Sequence, residues 1–168
     1  MICFQLAFGE TMAARSTAIL TGILDLLPQI EGTYKDIHAH PELSMQEVRT
    51  SGIVAAQLKS AEFEVTTGLG KTGVVGVLRN GSGKTVMLRA DMDALPLKEE
   101  SGLPYASTVT GTDANGNSVP VAHACGHDVH VACLLGASLL FAKNRDAWNG
   151  ELIVFSSLVK KSQEVLRP

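Results

Sequence analysis

Residues 129–144 read VHVACLLGASLLFAKN. The run is apolar on most sides at helical spacing, which predicts a helix buried against a sheet. Its N-terminus is expected at or near His127-Asp128. On the C-terminal side, GELIVFSS (150–157) reads as a core strand. On the N-terminal side, TVMLRA (85–90), GVVGVLR (73–79) and EFEVTT (62–67) read as three more. Asn80-Gly81-Ser82-Gly83 between two of them suggests an antiparallel hairpin. Residues 98–122, rich in Gly, Ser, Thr and Asn, read as irregular loop.

Further out, the signals are helical. Ser44-Met45-Gln46-Glu47 fits a capping box that opens a helix running to about Ser60, with Glu47 as the cap. TAILTGILDLL (17–27) is apolar at helical spacing. Pro28 suits the first turn of a separate helix that stops before Pro41. No repeat, low-complexity tract or linker interrupts the pattern. The expectation is one α/β domain with a mixed sheet.

Composition narrows the function. The chain has 168 residues, 45% of them hydrophobic, enough for a real core. A formal charge of -3 without a basic block argues against nucleic acid. No apolar run is long enough to span a bilayer. The N-terminal MICFQLAFGETMAARS has no basic residue ahead of its short apolar patch, so it is not read as a secretory signal. Met12 is an alternative start. Cys3, Cys125 and Cys133 are too few for a disulfide framework, and a cytoplasmic location is the expectation.

Two short stretches carry the candidate chemistry. TVMLRA runs into Asp91-Met92-Asp93-Ala94-Leu95-Pro96, which puts two carboxylates just past a strand end, where sites gather in α/β sheets. Solvated turn aspartates are the plain alternative. HACGHDVH (123–130) places Cys125 and His127 two apart around Gly126, just before the buried helix. A thiolate and an imidazole so placed can grip one metal ion. Asp128, Asp91 or Asp93 could orient the imidazole. The plain reading makes the cysteines small core residues and one histidine a helix cap.

LRADMDALPLKE (88–99), HACGHDVHVACLLGAS (123–138) and KDIHAHPELSMQE (35–47) together resemble three signature blocks of the amidohydrolase branch of the M20 metallopeptidases, in the family's order. That branch includes hippurate hydrolases, N-acyl-amino-acid amidohydrolases and auxin-conjugate hydrolases. The resemblance covers about residues 28–155. It implies the N-terminal part of a three-layer-like α/β catalytic domain, without the smaller lid and dimerisation domain. Residues 1–27 would be an extension with a short helix, and 156–168 a divergent tail. The resemblance also implies one or two divalent metals, zinc, manganese or cobalt, and a small N-acyl amino acid or peptide-like substrate. Cys125 and His127 fall on metal-ligand positions, and Asp93 on the aspartate that supports the site. Asp91 and Asp128 stand as further supporting candidates. His38, His40 and Glu42 match positions with no role assigned beyond structure.

The pattern then departs from the family. After GELIVF, a block like QPAEE would supply the general base and another ligand. Here SSLVKKSQEVLRP follows, and Glu164 does not stand in that context. The expected site is therefore incomplete. Two readings remain: the N-terminal part of an amidohydrolase, cut short and inactive alone, or a non-catalytic protein that binds a metal, ligand or partner on the half-domain. An unfinished sheet would also favour self-association.

Overall fold

A computed structural model describes residues 12–156. The readings made for residues 1–11 and 157–168 lie outside them. The elements in chain order are α1 (Met12–Ile19), α2 (Ile23–Ala39), α3 (Val48–Ser60), β1 (Glu64–Leu69), β2 (Gly73–Asn80), β3 (Thr85–Ala90), β4 (Thr110–Thr112), β5 (Ser118–Pro120), α4 (His127–Lys143), a 3-10 turn (Arg145–Ala147) and β6 (Gly150–Ser156). The main sheet has the order β1-β2-β6-β3, and β4-β5 form a small hairpin of their own. The α/β class and the mixed sheet are as expected. No described helix is long and apolar enough to cross a membrane.

The sheet corrects the hairpin expectation. β2 and β3 are not neighbours, because β6 inserts between them, antiparallel to β2 and parallel to β3. Residues 81–83 do bend the chain, but the alternating apolar pattern of β6 competes for both partners and wins the centre. The antiparallel hairpin is instead β1-β2.

Two more expectations change. Pro28 lies inside α2 and does not start a helix. The break falls at Gly22, in a left-handed conformation with φ 81° that glycine adopts without strain. Glu47 does occupy the cap position of α3, but its side chain makes no capping bond. It is wholly buried, and Thr72 donates to it at 2.7 Å. The capping acceptor is Glu42, whose two carboxylate oxygens take the backbone N–H groups of Arg49 and Thr50, both at 2.8 Å. Residues 98–122 also hold more order than expected, since β4 and β5 lie there.

The core follows strand alternation. Val74, Leu78, Leu152 and Val154 point to one face and pack with Val54, Leu58, Val131 and Leu135 of α3 and α4. A Cβ at Gly76 would meet Leu58 at 3.0 Å, so glycine lets α3 sit close to β2. Ile37 brings the end of α2 into the same cluster. Val75, Val77, Ile153 and Phe155 point to the other face and are only partly buried.

Candidate active site

The site lies where three segments converge after β3. Residues 91–96 leave β3 and are pinned on both sides. Ala94 N–H donates to Glu42 O at 2.8 Å, and Leu95 exchanges backbone bonds with Ala122 at 3.0 and 3.1 Å. This fixes Asp93 beside the start of α4 and brings His123, next to Ala122, into the same region. Gly126, at φ 75°, turns the chain into α4, with Cys125 before the turn and His127 opening the helix.

His127 Nδ1 lies 2.8 Å from the backbone oxygen of Asp93 and 2.8 Å from its carboxylate Oδ1. The carbonyl lies along the ring N–H and takes the directed bond; Oδ1 lies off that line and acts as an electrostatic neighbour. With two oxygens facing Nδ1, the proton belongs there, and Nε2 keeps its lone pair. Asp93 is buried, and the Cys125 thiol is exposed. Asp91 is turned away, with its Oδ1 2.6 Å from Arg89 Nη2. The His130 ring stands 5.7 Å from that of His127.

Asp128 does not touch His127's ring. Its Oδ2 lies 2.6 Å from Nδ1 of His38, and Nε2 of His38 lies 2.9 Å from Glu99 Oε1. Glu99 also accepts from Ser101 Oγ and from Ser107 N–H. Tyr34 and Tyr105 set their rings 5.6 and 5.4 Å from that of His38. Burial pulls the His38 ring toward neutrality, but its bonds to Asp128 and Glu99 outweigh that and raise its pKa above the ordinary 6.5. Burial likewise works against the charge on Glu99, yet the bonds from Ser101, Ser107 and His38 hold its pKa below the usual value. Tyr34 is pushed up to about 12, by burial first and then by Tyr105, Asp128 and Glu99. His40 sits apart, 2.7 Å from Asp36 O.

His123 is buried, with both ring nitrogens lacking a hydrogen-bond partner among the described residues. Burial lowers its pKa. Reasoning from sequence named His38 without a role and missed Glu99 entirely. Glu99 closes the LRADMDALPLKE block, but nothing in its spacing points to a histidine far away on α2.

Among the described residues, no group of three or more His, Cys, Asp or Glu side chains is placed to hold a metal ion. Cys125 and His127 supply two suitable donors, short of the three protein ligands of a catalytic zinc site. Residues 12–156 therefore do not make a metal site unaided.

The site thus lies at a strand end of a mixed α/β sheet, beside a Cys-Gly-His turn. A model described as peptidase family M20/M25/M40 matches residues 87–157. The chain is 44% identical over 138 residues to hippurate hydrolase of Campylobacter jejuni, covering 82% of this chain and 33% of that one. It is 49% identical over 120 residues to thermostable carboxypeptidase 2 of Saccharolobus solfataricus, covering 70% and 28%. A crystal structure of a dinuclear metal-binding M20 peptidase from Bacillus subtilis superposes with a TM-score of 0.69 at 32% identity, over 79% of this chain and 35% of that one. The chain belongs to the M20 peptidase family. It spans about a third or less of the length of these relatives.

Proposed function

We propose that Cys125 and His127 hold a divalent metal ion in an enzyme that hydrolyses the amide bond of N-acyl amino acids, and that donors beyond residues 12–156 complete the site. The observation that carries the reading is the orientation of His127. Its Nδ1 faces the two oxygens of Asp93, which leaves Nε2 for a metal, and Cys125, two residues earlier in the chain, has an exposed thiol. The donor pair suits zinc, manganese or cobalt. A metal there would lower the pKa of a bound water and polarise the scissile carbonyl. Of this chain's own residues, Asp93 orients His127, and the pinned 91–96 segment keeps Asp93 in place. The likeness to a hippurate hydrolase supports an aromatic acyl group on glycine as the first substrate to try.

A chimera tests this reading. The matching segment of the Campylobacter jejuni enzyme is replaced by residues 12–156, and N-benzoylglycine is the substrate. Metal-dependent turnover is expected, lost in Cys125→Ala and in His127→Ala. A folded chimera without turnover would refute the proposal. The 168-residue chain alone should show no measurable turnover with added zinc, manganese or cobalt. Clear turnover, abolished by Cys125→Ala, would mean that other residues of this chain complete the site.

A further inference from the structure

Building on that reading of Cys125 and His127, we propose that His38 is the positioning residue of their turn, a charged imidazolium that clamps Asp128 to Glu99. Three separate segments meet at this one ring. His38 closes α2, Glu99 lies in the segment after the pinned 91–96 stretch, and Asp128 sits in the first turn of α4, directly after His127. Both ring nitrogens face a carboxylate oxygen, at 2.6 and 2.9 Å. Ionised carboxylates only accept, so two such bonds need two ring N–H donors, and only the imidazolium has them. The His38, Glu99 and Asp128 side chains are 10%, 8% and 2% exposed, so water screens the pairing little.

The clamp has a direct consequence for the turn. Without its cation, two buried carboxylates are left facing each other, and an uncompensated buried charge is costly. Asp128 is then driven to move, and it is covalently next to His127. Glu99 would keep its bonds from Ser101 and Ser107, whereas Oδ1 of Asp128 already has no partner among the described residues. The disturbance therefore falls on the α4 side, where the ligand pair sits. The other groups around the ring are Tyr34 on α2, Tyr105 on the loop, and the neighbouring His123, itself held toward neutrality by burial.

The test compares the wild-type chain with His38→Gln, whose N–H donors sit on a single nitrogen and which carries no charge. Cobalt(II) titration, read by thiolate-to-metal absorption, should show about a tenfold or greater loss of affinity in the variant, the usual scale for a lost supporting partner. Equal affinities would overturn the proposal. Two metal-free readouts stand beside it. Amide exchange across residues 123–131 should be faster in His38→Gln, and unchanged exchange would overturn the positioning role. The stability gap between wild type and variant should depend on pH. A ring whose pKa is raised on folding contributes fully below its unfolded value and loses that contribution as pH rises through the folded one. The gap should therefore be widest below about pH 6.5 and narrow above it. Both proteins carry His123→Leu for this readout, because the pKa of His123, lowered first by burial, is lowered further by the charge on His38, and the two rings would otherwise titrate together. A gap independent of pH would mean a neutral ring and would overturn the charged clamp. Absence of a thiolate–cobalt band in the wild type would follow from the missing donors and leave the metal reading to the chimera, and the two metal-free readouts would then decide the clamp.

Discussion

At the scale of single residues, His123 is the side chain that ordinary packing does not explain. A buried imidazole with both nitrogens unpartnered costs free energy, on the order of 1–3 kcal/mol for an unmet polar group. Leucine has nearly the same volume and no such cost. His123→Leu is therefore expected to leave the melting temperature unchanged or raise it. A clear fall in calorimetry would show that the ring has a partner in solution. Asp91 and Asp93 teach a related lesson. In the sequence they are equivalent carboxylates two positions apart. The structure separates them, because the chain leaves β3 at Ala90 and residues 91–96 do not keep the strand's alternation, which would put residues two apart on one face. One meets His127 and the other meets Arg89.

At the scale of elements, the start of α3 carries a testable claim. Glu42 accepts two backbone N–H groups of its first turn. Glu42→Ala should destabilise the chain by about 1–2 kcal/mol, the upper range for losing a cap. Glu47→Gln should leave that cap intact, since Glu47 faces Thr72. If urea melts ranked the two the other way, the cap would belong to Glu47 as its spacing suggests. The element pattern shows why sequence reading succeeds in some places. α4, β3 and β6 were legible because their apolar periodicity is strong and uninterrupted. Cys125, His127 and the Gly126 turn were legible because they are adjacent in the chain. The order β2-β6-β3 was not, since pairing depends on competition among distant strands and turn residues report only local geometry. Nor was the His38 clamp, whose two acids lie far from it in sequence.

At the scale of the whole molecule, the described sheet is covered on one face. On the other, Val75, Val77, Ile153 and Phe155 are partly exposed, with Met87 beside them at 62% exposure. β3 is an edge strand, and its Val86 is 53% exposed. An apolar edge of this kind invites pairing with another chain. The purified 168-residue chain is expected to self-associate, with Met87→Lys reducing the effect. Size-exclusion chromatography with light scattering checks this. A monodisperse wild-type monomer would count against it.

The central place of β6 also sets an order of events. β1 and β2 are neighbours in sequence and can close as a hairpin as soon as both are made. β3 has no strand partner among the described residues except β6, and the two are separated by the whole of α4 and the β4-β5 hairpin. On the ribosome, β3 is therefore finished long before the strand that joins the sheet emerges, whereas α4 ends only shortly ahead of it. Until Gly150–Ser156 arrives the two halves are tethered but unzipped, and a chaperone that recognises bare apolar strands has its longest opening on this chain in that interval.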